Sequence, residues 1–141
     1  MVIDTLTGDV VLLVGRLLFG GVLAFTGLNH FMDADNMAEY ADAKGVPAPK
    51  LAVLGSGAML VAGGLSLVVG AYPGVGALLM VVFFVGVTPK MHDFWNVDDP
   101  EQRQNEMTHF LKNVAMLGGA LAFLALAGEA WGYSAGVGLL W

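Results

Sequence analysis

The sequence predicts an all-α fold: a four-transmembrane-helix bundle with a short interfacial helix between helices 1 and 2. Three observations carry this. Of 141 residues 13% are charged and 57% hydrophobic, with a mean hydropathy of +0.71, whereas soluble domains carry roughly 25% charged residues. Four apolar stretches approach the about 20 residues needed to cross the hydrocarbon core. The 20 glycines lie inside apolar runs beside Leu, Val and Ala, where small residues let membrane helices approach closely. The length suits a single integral membrane domain over residues 1–141.

The first span is expected over residues 10–31, the second over 51–71, the third over 75–91 and the fourth over 110–127. A start at Met1, Val2, Ile3 and Asp4, with no basic region and no small-residue cleavage pattern, argues that the first span stays in the mature protein. Between spans one and two, Asn36 and Glu39 read as an N-cap and its N3 partner. Met37, Tyr40, Ala41 and Lys44 follow at helical spacing before Gly45, which predicts a short surface helix. Pro47 and Pro49 restart the chain, in the first turn of span two where proline is tolerated. Tyr72, Pro73 and Gly74 read as a tight turn between antiparallel neighbours. Pro89 should kink or end the third span. The tail from Gly128 to Trp141 is too short to span, and with Trp131, Tyr133 and Trp141 it reads as an interfacial cap.

Lys44 and Lys50 fall in the first loop, and Lys90, Arg103 and Lys112 in or beside the third; the second loop and the termini have neither Lys nor Arg. The positive-inside rule then places the first and third loops in the cytoplasm and both termini outside a multi-pass cell-membrane protein.

Several functions are excluded early. A net charge of −6 repels nucleic acid, so the expected surroundings are the lipid membrane and partner proteins. The acid excess suits a salt-loving host such as a halophilic archaeon. With no cysteine there is no thiolate nucleophile, Cys-ligated zinc or iron–sulfur centre, so any redox chemistry must borrow its cofactor.

Arg16 is the one basic residue deep within a span, and a charge there should face the bundle. Arg16, Gly20, Leu23, Gly27 and His30 step by four and three, making one helix stripe. The alternative for Arg16 is snorkelling, or tying a structural hydrogen-bond network. His30 ends span one, His92 ends span three and His109 begins span four. With Asn29, Asp93, Trp95 and Asn113 they gather near one membrane face. Thr88, His92 and Trp95 share one helix face, and His109, Asn113 and Met116 another. A polar pocket is the natural inference. Its imidazoles could hold a metal or haem, shuttle protons or hydrogen-bond a quinone carbonyl. No two histidines share the i, i+4 spacing of helical metal motifs, so no metal site is assigned. The methionines read as core filling. Asp98, Asp99, Glu101 and Glu106 read as a solvated acidic face without the spacing of a calcium loop. The paired glycines Gly63–Gly64 and Gly118–Gly119 read as helix-packing positions.

Gly15–Leu18, Gly27–Phe31, Glu39–Tyr40, Gly45–Pro49, Gly63–Gly64, His92–Trp95 and Phe110–Gly119, in that order over residues 10–127, resemble the DoxX family of small membrane proteins. The resemblance implies a four-helix membrane bundle related to the membrane subunit of thiosulfate:quinone oxidoreductase. Two departures stand out. Met59, Leu60, Val61 and Ala62 occupy the place where many members carry an acidic residue, so span two offers Arg16 no charge partner, and His30 stands where Lys is frequent.

The expected function is therefore that of a quinone-linked oxidoreductase subunit, not a self-contained enzyme. His30, His92, Asp93, Trp95, His109 and Asn113 form its candidate ligand pocket, His92 or His109 bonding a quinone carbonyl. Arg16 supports the bundle, and a redox partner protein supplies electrons. The alternative is a non-catalytic membrane scaffold or assembly factor whose small-residue faces dock partners or a second copy of the chain.

Overall fold

The computed structural model describes residues 5–138. Trp141 and the first four residues lie outside them. The order is α1 (Leu6–Met32), α2 (Ala34–Ala43), α3 (Pro49–Val69), α4 (Pro73–Met91), a short 3₁₀ turn (Phe94–Asn96) and α5 (Pro100–Leu126). Four helices, α1, α3, α4 and α5, are long and apolar enough to cross a membrane, the third candidate span running on through the 3₁₀ turn.

The helix boundaries follow local chemistry. Thr5 caps α1 by accepting from Gly8 N at 3.0 Å. Asp33 both ends α1 and starts α2. The expected cap at Asn36 is therefore displaced: Asn36 lies inside α2 and its amide donates to Asp33 Oδ1 at 2.7 Å. Pro49 and Pro73 take the first turns of α3 and α4. The turn between those helices is Gly70–Tyr72, two residues earlier than expected, with φ of 70° at Gly70 and 52° at Tyr72. Pro89 does not end α4, which continues to Met91. The largest correction concerns α5. It begins at Pro100 rather than near residue 110, with Asp99 as N-cap accepting from Gln102 N at 2.9 Å.

The tightest packing joins α1 to α3. A Cβ placed at Gly20 would lie 2.6 Å from Gly64 O, and one at Gly27 would lie 2.7 Å from Gly57 O. Backbones this close tolerate only glycine. The stripe Arg16, Gly20, Leu23, Gly27, His30 is the buried face of α1, as its spacing predicts. Leu23, Leu60, Met80, Phe83, Phe84 and Ala120 form the central core.

Arg16 is fully buried at 0% exposure. Its Nε donates to Leu67 O at 2.9 Å and its Nη2 to Val68 O at 2.8 Å; both carbonyls belong to the last turn of α3 and lack an intrahelical donor. Nη1 and Nη2 reach Gly132 O at 2.9 Å and Tyr133 O at 3.1 Å in the tail. The guanidinium therefore ties a structural network of backbone carbonyls, with no carboxylate partner among the described residues. The tail folds over this end of the bundle: Ala135 N donates to Val69 O at 2.8 Å and Tyr72 N to Val137 O at 2.6 Å. In the tail, Trp131 is buried against Leu67 and Ala77 with Arg16 Cζ 5.3 Å from its ring centre.

The two glycine pairs divide. Gly64 faces Gly20 and Ala24, whereas a Cβ at Gly118 meets nothing within 4 Å; its neighbour Gly119 carries the packing, under the ring of Phe19. Gly64→Leu should therefore lower stability by about 1 to 3 kcal/mol or prevent folding, while Gly118→Leu should leave thermal unfolding in detergent unchanged. Equal behaviour of the two variants would contradict this helix packing.

Candidate functional site

At the end of the bundle away from Arg16 the helices separate around a cavity of about 620 Å³. Leu23, Val53, Leu60, Phe83, Phe84 and Met116 give it apolar walls; Thr26, His30, Tyr40, His92, Lys112 and Asn113 bring polar groups to it. The α1 and α5 backbones do not meet as α1 and α3 do. Phe19 stands between them, its ring on Gly119 and 5.2 Å from that of Phe123. Val22, 60% exposed, also lines the cavity, so the wall reaches the lipid-facing surface.

Three of the sequence-predicted residues share this cavity: His30, His92 and Asn113. His30 is buried, its Nδ1 2.8 Å from Thr26 O in its own helix and its ring edge-on to Phe83 at 6.2 Å. Asn113, 7% exposed, has no hydrogen bond from its amide to any described residue. His109 stacks on His92 with ring centres 5.2 Å apart and an interplanar angle of 24°, but it stands behind His92, outside the cavity lining. Asp93 and Trp95 are also outside it. Asp93 pairs with Lys44 at 2.7 Å and accepts from Asn96 at 3.1 Å, tying the end of α2 to the 3₁₀ turn. Trp95 is 55% exposed and packs on Phe94 and Phe110. Thr88 does not join the site either; it is buried with its hydroxyl unpartnered.

Glu106 is the principal correction. Expected in a solvated acidic run, it is 8% exposed. Its Oε1 accepts from the Tyr40 hydroxyl at 2.6 Å and its Oε2 lies 2.9 Å from His92 Nδ1. Burial, and then the Glu106 carboxylate, push the Tyr40 hydroxyl well above its ordinary range, so it remains a donor. The signal for Glu106 was in the sequence: Asp99, Pro100 and Glu101 form a helix start. A helix begun there carries Glu106, Asn113 and Ala120 at heptad spacing, and these are its buried residues. Tyr40 was legible as a helix position but not as a partner, because 66 residues separate it from Glu106.

This arrangement can orient a ring-headed ligand: apolar walls, one unpartnered amide and two imidazoles fixed by partners on one edge. No group of three or more metal-ligating side chains exists among the described residues.

The DoxX family model matches residues 11–93. The chain belongs to the DoxX family. It is also 29% identical over 118 residues to the inner membrane protein YphA of Escherichia coli (strain K12), covering 84% of this chain and 81% of that protein. No solved structure matches it. This DoxX protein is thus a multi-pass membrane protein, and the family match ends at Asp93, before Glu106, His109 and Asn113 on α5.

Tyr40→Phe removes a hydrogen bond to a buried charged acceptor. It should cost about 1.5 to 3 kcal/mol in reversible unfolding in detergent. An unchanged stability would mean that Glu106 does not draw on the hydroxyl.

Proposed function

We propose that this DoxX protein is the membrane subunit of a quinone-linked oxidoreductase system, that it takes the carrier's ring into the cavity beside α1, α4 and α5, and that a partner protein exchanges electrons with it. One observation carries the reading. The cavity joins apolar walls of Leu23, Val53, Leu60, Phe83, Phe84 and Met116 to polar groups that include His30, at the end of α1, His92, after α4, and Asn113, which suits a ring with polar substituents on an apolar tail. Its volume lies in the range of ligand sites, roughly 300 to 1,000 Å³. Its wall reaches lipid at Val22, where a carrier dissolved in the bilayer would arrive. The chain's own residues bind and orient; the absence of cysteine throughout the sequence leaves electron supply to others. Extraction of lipids from protein purified in mild detergent, followed by mass spectrometry, should return a quinone, its oxidised and reduced forms counted together, near stoichiometry. His92→Ala and Asn113→Ala should each lower that content about tenfold while the fold remains, the loss expected for one buried hydrogen bond to an oriented ligand. Full quinone-free occupancy by phospholipid would sink this reading.

A second reading, a scaffold that docks a partner or another copy of the chain, draws on Gly21, Gly55, Gly86 and Gly118, each of which has open space where a side chain would stand. The same purification separates the two, since a scaffold would retain a partner protein and no quinone.

We further infer that the cavity end faces the cytoplasm and that both termini lie outside, from the Lys and Arg residues concentrated in the first and third loops. The acid excess is read with these as adaptation to a salt-rich, halophilic setting. Cysteines at Ala135 and Asn96, both exposed, should react with an impermeant reagent from opposite sides of the membrane, Ala135→Cys from outside. Reaction of both from one side would contradict this topology.

A further inference from the structure

The two histidines on the cavity wall are each fixed in one tautomer, and the geometry points to a site that selects the reduced, hydroxyl-bearing form of its ring ligand, a hydroquinone, over the quinone. The inference rests on the quinone reading and sharpens it.

Donors and acceptors decide the preference. His30 Nδ1 lies 2.8 Å from Thr26 O, and a carbonyl can only accept, so Nδ1 carries the proton. His92 Nδ1 lies 2.9 Å from Glu106 Oε2. The other oxygen of Glu106 accepts from Tyr40 at 2.6 Å. Burial opposes its charge, but the hydrogen bonds from Tyr40 and His92 keep the Glu106 carboxyl below its ordinary range; ionised, it only accepts, and His92 Nδ1 is the donor. In each neutral ring the nitrogen left for a ligand is Nε2, which then has a lone pair and no hydrogen. His109 behaves oppositely. Its Nδ1 lies 3.4 Å from the Lys112 ammonium, which can only donate, so its proton sits on Nε2. The stacked pair therefore holds a carboxylate against one ring and an ammonium against the other.

A hydroquinone hydroxyl can donate to a bare Nε2; a quinone carbonyl brings a second lone pair to it. This reverses the expectation that His92 bonds a carbonyl. Asn113 both donates and accepts, so it serves either form and does not discriminate. Glu106 acts through His92 and is a positioning residue.

The test measures binding of menadiol, menadiol dimethyl ether and menadione to the full chain in detergent, without oxygen, at a pH of about 8, above the ordinary imidazole range. Menadiol should bind at least about tenfold tighter than either of the others, the effect of one buried hydrogen bond. That preference corresponds to raising the bound couple's potential by about 30 mV. Equal binding of all three, or tightest binding of menadione, overturns the inference and leaves the quinone reading standing. Failure of all three to bind overturns the quinone reading and the inference with it. Glu106→Leu should reduce the menadiol preference. Nitrogen NMR of histidine-labelled wild-type protein supplies a readout independent of any ligand or variant: His30 and His92 should carry their protons on Nδ1 and His109 on Nε2. Protons on Nε2 in His30 and His92 would overturn the inference.

Discussion

Arg16 ties α1 to two segments, the end of α3 and the tail, through backbone carbonyls that would otherwise be unpaired. In a membrane no water can satisfy the last turn of a helix, and the carbonyls of Leu67 and Val68 at the end of α3 are met by this guanidinium. The same group takes Gly132 and Tyr133, so the tail is closed over the bundle by the charge that seals α3. The reach is possible only because α1 and α3 touch backbone to backbone at Gly20 with Gly64 and again at Gly27 with Gly57. One turn further, the missing side chain at Gly57 makes room for His30: a Cβ there would lie 2.6 Å from the His30 Cβ. The position of a cavity histidine thus follows from a chain of contacts that begins at Arg16.

The same closeness explains why a cavity exists. A bundle that draws α1 onto α3 must leave space elsewhere, and it leaves it between α1 and α5, which are bridged by the Phe19 ring rather than joined by small residues. The polar groups at this end are met from outside the membrane core. The interfacial helix α2 supplies Tyr40 to Glu106 and Lys44 to Asp93, so a short connecting helix becomes the lid that satisfies a buried carboxylate. An unpaired carboxylate at that depth would be strongly unfavourable. One donor from α2 and one imidazole after α4 make it tolerable, and in doing so they orient His92.

Much of the fold was legible because a membrane span is a one-dimensional signal. Length and hydropathy identify α1, α3 and α4, and the alternating steps of four and three from Arg16 to His30 identify the buried face of α1. The start of α5 was hidden because its first turns are polar: Gln102 to His109 sits outside the apolar window, and only the Asp99–Pro100 cap marks it. The candidate site was half legible. His30, His92 and Asn113 could be placed at one membrane face by topology, and the structure brings them to one cavity. Asp93 and Trp95 could not be separated from them, because loop residues follow the 3₁₀ turn and not a helical period. Glu106 was missed since acidity near a loop reads as solvation unless its partners, distant in sequence, are known. Gly118 and Gly119 are adjacent glycines with opposite surroundings, a distinction set by which helix lies alongside.

The most direct measurement is an experimental structure of the protein extracted from its own membranes with bound lipids retained. A flat ring should be seated among His30, His92 and Asn113, with its tail leaving between α1 and α5. A ring ligand seated elsewhere, or a cavity closed by contact of α1 with α5 along its whole length, would contradict this.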